Sequence, residues 1–263
     1  MPEDGDRYQK QKLLAGLGPE GQERLAAAGV LIAGVGALGG HLAQLMVRAG
    51  VGRVRLVDRD VPELSNLHRQ PLYDENDLGS GEGKAQIAAE KLRAVNSQVV
   101  IEAVVAELGP PNALELAQGV DLILDGLDNS AARYVLNDAA VCLGLPWVYT
   151  GVVAARGNVL TIVPGRTPCL RCLFPTPPAP GALPSVATHG IMGPTPAFAA
   201  ALAAAEAIKL LCGAVDSRLP GLFSFDLWRG QFQLSELPGG PAPNCPCCGQ
   251  RDFAYLEGRA RPA

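Results

Sequence analysis

Residues 30–60 read VLIAGVGALGGHLAQLMVRAGVGRVRLVDRD, and this stretch decides the fold class. Val30–Ala33 are apolar and β-favouring, and Val54–Val57 form a second short run of the same kind. Between these runs, apolar side chains recur at helical spacing at Leu38, Leu42, Leu45 and Met46. A strand, a helix and a second strand in this order form a right-handed crossover, which predicts two parallel strands in one sheet.

Three glycines separate the first strand from the helix. Gly34, Gly36 and Gly39 have G-x-G-x-x-G spacing, which lets backbone N–H groups approach a phosphate at the positive end of a helix. Asp58 directly follows the second strand, where a carboxylate can accept hydrogen bonds from ribose hydroxyls. The pattern predicts nucleotide binding and does not separate NAD from ATP. The alternative is that the glycines serve only tight packing of strand on helix.

The rest of the first half continues the alternation of strand and helix. A helix is predicted over 84–95, a strand near 99–105, and a buried strand within VDLILDGLDN, residues 120–129. We therefore expect an α/β fold with a doubly wound, Rossmann-like sheet.

After Trp147 the pattern changes. Residues 147–165 predict two strands around a turn at Arg156–Gly157, and the Pro- and Ala-rich stretch 174–190 predicts a loop. An alanine-rich helix and two strands near 221–227 and 230–237 follow. The parallel half of the sheet is thus expected to continue into antiparallel C-terminal strands.

Composition excludes several classes of protein. The 263 residues are 48% hydrophobic and carry a net charge of −4, so a sizeable core is expected and a general nucleic-acid binder is not. The N-terminus lacks the apolar segment of a signal peptide, and no run of about 18 uninterrupted apolar residues suggests a membrane span. We expect a cytoplasmic protein with reduced cysteines.

Four of the seven cysteines form two Cys-x-x-Cys pairs, Cys169 with Cys172 and Cys245 with Cys248. Paired knuckles of this spacing are typical of a tetrahedral Cys₄ zinc site. A disulfide or a redox-active dithiol is the alternative. Cys247 is expected to be a non-ligand, because it directly precedes Cys248 in the chain.

Several motifs together resemble the ThiF/MoeB/HesA family, the bacterial relatives of ubiquitin-activating enzymes. They are the paired cysteines and the segments RYQKQ (7–11), GVGALGG (34–40), LVDRD (56–60), LSNLHRQ (64–70) and LDGLDN (124–129). The similarity runs from Arg7 to about Gly249. A dehydrogenase has no evident need for LSNLHRQ, although an NAD-dependent oxidoreductase remains the alternative, as does a non-catalytic subunit of a heterodimeric activating enzyme.

The resemblance implies an enzyme that adenylates the C-terminal glycine carboxylate of a small β-grasp sulfur carrier ending in Gly-Gly, with release of pyrophosphate. Arg69 and Lys84 would contact the phosphates of ATP, and Asp128 would hold Mg²⁺. Phe174, Leu183 and Ile191 are candidate contacts for the carrier. The remaining implied nucleotide-binding positions are Gly34, Gly36, Gly39, Asp58, Ser65, Asn66, Leu67, His68 and Asn129.

The chain departs from the family pattern in three places. Lys10 stands where relatives often have an arginine that reaches the partner's ATP, so a homodimer is implied with Lys10 as the catalytic cation. The segment before Lys84 is longer and glycine-rich. Val186 replaces a loop cysteine, so we expect the acyl-adenylate itself to be the product rather than a thioester.

We expect one adenylation domain over 1–263. Residues from about 7 to 165 would form the nucleotide-binding half, 166–195 a crossover loop, and 196–263 the C-terminal helix, strands and zinc knuckle.

Overall fold

The computed structural model describes residues 6–179 and 181–260, which contain strands and helices in alternation. The strands are β1 Gly29–Ala33, β2 Arg53–Val57, β3 Val100–Val104, β4 Leu122–Asp125, β5 Trp147–Val153, β6 Arg156–Ile162, β7 Gly221–Asp226 and β8 Gln231–Glu236. The α-helices are α1 Gln9–Lys12, α2 Gly18–Ala27, α3 Ala37–Ala49, α4 Lys84–Val95, α5 Ala113–Ala117, α6 Ser130–Leu143, α7 Leu170–Leu173, α8 Val186–His189 and α9 Pro194–Leu211.

All eight strands belong to one sheet with the order β3-β2-β1-β4-β5-β6-β7-β8. Neighbouring strands from β3 to β5 pair in parallel, and the pairs β5–β6, β6–β7 and β7–β8 are antiparallel. This confirms the predicted Rossmann-like sheet with an antiparallel C-terminal continuation.

The register brings three chain segments to one edge of the sheet. Ala33, at the end of β1, pairs with Val57 of β2 on one side and with Asp125 of β4 on the other. Residues that follow these three strands therefore emerge together. Because α3 packs on one face of the sheet and α6 on the other, the β1–β4 border is a topological switch point, where α/β sheets bind ligands.

Alternate residues of β1 pack into two different hydrophobic clusters, one on each face of the sheet. Val30 and Ile32 pack with α3 and α9, whereas Leu31 and Ala33 pack with α6, and all four are 0% exposed. Burial on both faces explains the continuous apolar run in this strand. Among the described residues, α9 alone is long and apolar enough to span a membrane by composition, and here it packs on β5, β6 and α3 as a core helix.

The hairpin between β5 and β6 differs from the prediction. Val153 pairs with Arg156, so the turn consists of Ala154 and Ala155 rather than Arg156–Gly157. Ala154 adopts a φ of 53°, a left-handed conformation that alanine seldom takes and that the sequence did not suggest. Its backbone N–H and C=O bond Gly190 and Met192, which hold it there.

Candidate active site

A cleft of ≈ 680 Å³ runs along the carboxyl edge of the parallel strands. Seven of the residues predicted for the nucleotide site line it: Gly34, Gly36, Asp58, Arg69, Lys84, Asp128 and Asn129. The fold thus gathers residues from the segments that follow β1, β2 and β4, from the start of α4 and from the segment of Arg69 around one cavity. Their individual binding roles stay predictions.

The three glycines of the loop differ in the space around them. A Cβ at Gly34 would lie 2.6 Å from the Gly126 carbonyl oxygen, and one at Gly39 would lie 1.8 Å from the Gly34 oxygen, so both permit close packing. A Cβ at Gly36 would have the Gln70 amide nitrogen, at 3.6 Å, as its nearest neighbour. Packing within the protein therefore does not explain the glycine at position 36, and its predicted role is to let a ligand approach the start of α3.

Asp58 is tied to the glycine loop. Its carboxylate accepts hydrogen bonds from the backbone N–H groups of Val35 at 2.7 Å and Asp60 at 2.9 Å. Burial raises the pKa of Asp58 above its ordinary value, against the opposing effect of these bonds. Each carboxylate oxygen accepts one of these bonds and has a second lone pair for a ribose hydroxyl.

The two candidate phosphate contacts differ in their surroundings. Lys84 has a side chain 8% exposed, and its ammonium lies 3.5 Å from an Asp60 oxygen, a long contact for a buried charge. A buried ammonium with one distant partner favours an anionic ligand. Arg69 is half-buried, with Nη1 donating to the Ser65 carbonyl at 2.7 Å, so several of its five donors remain available.

Asp128 stands at the rim of the cleft with an exposed carboxylate. It makes no hydrogen bond or ion pair within the part of the chain that the structure describes. Asn129, not Asp128, caps α6, because its side-chain oxygen accepts from the Ala132 N–H at 2.8 Å. The Asp128 carboxylate is therefore available for a hard cation such as Mg²⁺.

Other predicted residues lie outside the cleft lining. Ser65, Asn66, Leu67 and His68 form or follow a short 3-10 turn at Leu64–Asn66, directly before Arg69 in the chain. Asn66 is 7% exposed, and its side-chain oxygen is buried without a partner. Lys10 lies on α1, exposed and away from the cleft of its own chain.

Several cleft residues escaped prediction from the sequence. Gln70 is 5% exposed, and its amide oxygen is also buried without a partner beside the glycine loop. Arg133 donates to the buried Asp125 carboxylate at 2.8 Å and to the carbonyls of Leu127 and Thr150, so it fixes the segment that carries Asp128. The sequence does contain a signal for Arg133. It lies in the pattern Asp128-Asn129-x-x-x-Arg, about one turn into a helix that begins beside the cleft.

The crossover loop covers one side of the cleft through Leu183, Val186 and Ile191. It contains two short helices, of which α8 begins with a capping box between Ser185 and Thr188, a pattern present in the sequence. Val186 occupies the cleft wall, and none of the described cysteines lines the cleft. That the acyl-adenylate rather than a thioester is the product stays a prediction.

The two Cys-x-x-Cys pairs converge on the far side of α6. The sulfurs of Cys169, Cys172, Cys245 and Cys248 all lie within 4.8 Å of one another, and none forms a disulfide. A tetrahedral zinc ion with Zn–S bonds of about 2.3 Å needs sulfurs about 3.8 Å apart, which this cage fits. The Cys247 thiol lowers the pKa of Cys169 to about 4, whereas burial raises the pKa of the Cys245 and Cys248 thiols, so a bound metal would have to displace their protons.

Cys247 is not one of the four clustered sulfurs, although its thiol contacts the Cys169 sulfur. Its sulfur is fully buried and accepts a hydrogen bond from the Asn137 amide of α6 at 3.3 Å. Gly249 closes the knuckle, because a Cβ there would lie 2.3 Å from the Pro243 carbonyl oxygen. The cage joins the C-terminal segment to α7 at the start of the crossover loop.

Comparisons with known proteins agree with this geometry. The profile of the ThiF family matches residues 8–247. A sulfur carrier protein adenylyltransferase of Thermus thermophilus is 44% identical over 264 residues, which cover 97% of this chain and 96% of the relative. The sulfur carrier protein ThiS adenylyltransferase of Bacillus subtilis is 41% identical over 95% of this chain and 74% of its own length.

Solved structures support the fold. The crystal structure of E. coli MccB with ATP superposes with a TM-score of 0.78 and 24% sequence identity, covering 94% of this chain and 75% of that one. At this identity the likeness extends to the fold alone.

Proposed function

Because this chain belongs to the ThiF family, we propose that it is an adenylyltransferase that activates the C-terminal glycine carboxylate of a small ubiquitin-like sulfur carrier. One observation carries the proposal: the buried ammonium of Lys84, the Arg69 guanidinium and the free Asp128 carboxylate face one cleft beside a glycine loop. A triphosphate needs cationic side chains around its oxygens and a carboxylate that holds its metal ion.

Each of these residues has its own role in the proposed reaction. The glycine loop and Asp58 hold the adenosine side, and Lys84 and Arg69 neutralise the phosphates so that an anionic carboxylate can approach. Asp128 would bind Mg²⁺, which supplies further positive charge at the triphosphate. A carboxylate oxygen attacks the α-phosphorus, the bond from that phosphorus to the bridging oxygen breaks, and pyrophosphate leaves. The product is an acyl-adenylate.

The carrier would enter from the side of the antiparallel strands. Leu183 and Ile191 line the cleft there, and Leu183 is 63% exposed. An extended Gly-Gly tail has no side chains to collide with the crossover loop. We propose a homodimer, with zinc in the cysteine cage as a structural ion, and a cytoplasmic location as expected from the sequence.

Exchange of labelled pyrophosphate into ATP tests the proposal. The purified chain should catalyse exchange with a sulfur carrier that ends in Gly-Gly and should not do so with the same carrier lacking those two residues. Asp128→Ala should abolish exchange. A chain that binds NADH and not ATP–Mg²⁺ in a fluorescence titration would favour the oxidoreductase, and one that binds ATP without exchange would favour a non-catalytic subunit.

A further inference from the structure

The phenol of Tyr149 reaches along β5 toward the cleft. A Cβ placed on Gly151, two residues further along the strand, would lie 2.8 Å from the Tyr149 oxygen. The hydroxyl group therefore lies above Gly151, close to the carboxyl end of the strand, and both residues line the cleft. It can hold this position only because residue 151 has no side chain.

The ring of Tyr149 is fixed by its neighbours. The Arg133 guanidinium lies 5.5 Å from the ring centroid, and Trp147 packs edge-on with ring centroids 6.2 Å apart. Arg133 is itself held by Asp125, as described above. The phenol is thus preorganised, which reduces the entropy lost when it binds a ligand.

Tyr149 remains a hydrogen-bond donor at neutral pH. Burial raises the pKa of its phenol above the ordinary value, against the opposing charge of Arg133. Within residues 6–179 and 181–260 its hydroxyl has no hydrogen-bond partner, so its proton is directed to the cleft or to solvent.

A second donor lies on the same face of the sheet. Asn158 of β6 is directly opposite Gly151, and its side-chain oxygen accepts from the Ser224 hydroxyl at 2.7 Å. Because the oxygen is occupied, the amide nitrogen is the free end of this side chain, and in the described chain it donates to no other group. Tyr149 itself pairs with Leu160, so Tyr149 and Asn158 are diagonal neighbours, which lie about 7–8 Å apart. Because the phenol lies above Gly151, directly opposite Asn158, it closes part of this distance and both donors can serve one ligand.

The order of the strands places these donors relative to the nucleotide. Asp58 follows β2, the glycine loop follows β1, Asp128 follows β4, and β5 comes next. A nucleotide lying across β2, β1 and β4 therefore leaves the end of β5 for the second reactant. That reactant carries a carboxylate under the proposed function.

We propose that Tyr149 and Asn158 form a donor pair that binds the reacting carboxylate of the acyl substrate. One carboxylate oxygen accepts their hydrogen bonds, and the other is left to attack the α-phosphorus. This assignment rests on the proposed function and adds a substrate-contacting pair to it. Tyr149 would then be a catalytic residue, and Gly151 would act by giving it room.

The test uses glycylglycyl-sulfamoyl-adenosine, a non-hydrolysable analogue that joins a Gly-Gly acyl group to adenosine, with ATP–Mg²⁺ as the reference ligand. Tyr149→Phe should weaken binding of the analogue by roughly tenfold, the effect of losing one hydrogen bond to a strong acceptor, and leave ATP affinity unchanged. Gly151→Ala should weaken binding of the analogue to a similar extent. This variant keeps the Tyr149 phenol, but the new methyl group moves the phenol out of its position above residue 151. Tyr255→Phe removes a phenol outside the cleft and is the matched control.

The outcomes separate the two hypotheses. If the wild-type chain binds the analogue more tightly than ATP and Tyr149→Phe binds it equally well, the donor pair is wrong and the proposed function stands. If the wild-type chain binds ATP and not the analogue, the proposed function fails and the donor pair with it. An equal loss for Tyr255→Phe would assign the effect to packing and also contradict the pair.

Discussion

Arg133 and Asp125 form a buried ion pair that ties the start of α6 to the end of β4. The Arg133 Nε lies 2.8 Å from a carboxylate oxygen of Asp125, and Asp125 is 0% exposed. Burial raises the pKa of the Asp125 carboxyl, against the opposing charge of Arg133. Since Leu127 also bonds this pair, the segment that presents Asp128 depends on it.

Arg133→Met should therefore destabilise the protein strongly. It leaves an uncompensated buried carboxylate, so we expect the free energy of unfolding to fall by about 3–5 kcal/mol. Arg156→Met is the matched control, because Arg156 pairs with Asp226 at the same 2.8 Å but has a side chain 60% exposed. We expect the control to lose less than about 1 kcal/mol. Urea unfolding measures both, and equal losses would contradict the role of burial.

Substitutions of Gly34 and Gly36 should have separate effects, the first on stability and the second on ATP affinity. Gly34→Ala places a Cβ 2.6 Å from a carbonyl oxygen at a φ of +84°, so we expect a loss of stability of at least about 1–3 kcal/mol. Gly36→Ala meets no protein atom closer than 3.6 Å, so it should fold normally and bind ATP at least roughly tenfold more weakly. Thermal unfolding and calorimetric titration with ATP check the pair. Normal ATP affinity in Gly36→Ala would argue against nucleotide binding at this loop.

The cysteine cage predicts one zinc ion per chain. Cys248→Ala should lose the metal, whereas Cys247→Ala should retain it, because the Cys247 sulfur is not one of the four clustered sulfurs and accepts a hydrogen bond from Asn137. Elemental analysis of the purified variants gives the stoichiometry. A wild-type chain without metal, or zinc loss in both variants, would overturn the assignment.

Lys10 tests whether two chains share each site. It is exposed on α1 and does not reach the cleft of its own chain, so a catalytic effect requires the partner's site. Lys10→Ala and Asp128→Ala should each lack exchange activity alone, and mixing the two proteins should restore part of it, because one site of a mixed dimer is then intact. Absence of rescue after verified subunit exchange would count against sharing.

Local patterns predicted much of this structure. The helix at 84–95 has the expected bounds, and β1 and β2 each begin one residue before the expected start, since periodicity and caps act within a few residues. The cysteine cage was also predictable from spacing. The hairpin turn at Ala154 was not, because a crossover segment more than 30 residues later holds it in place.

The functional parts of the cleft were predicted less completely. Arg69, Lys84 and Asp128 belong to recognisable motifs, whereas Tyr149 lies in a strand whose aromatic residues suggest core packing alone. Its role depends on Gly151 beneath the phenol and on Arg133 beside the ring, which are tertiary relationships. Sequence periodicity contains no information about either.

A crystal structure of the chain with ATP and Mg²⁺ tests the central claim most directly. We predict the triphosphate in the cleft, with Arg69 and Lys84 within hydrogen-bonding distance of its oxygens and the metal ion on Asp128. An ordered nucleotide elsewhere, or one in the cleft with these three side chains remote from the phosphates, would contradict the account.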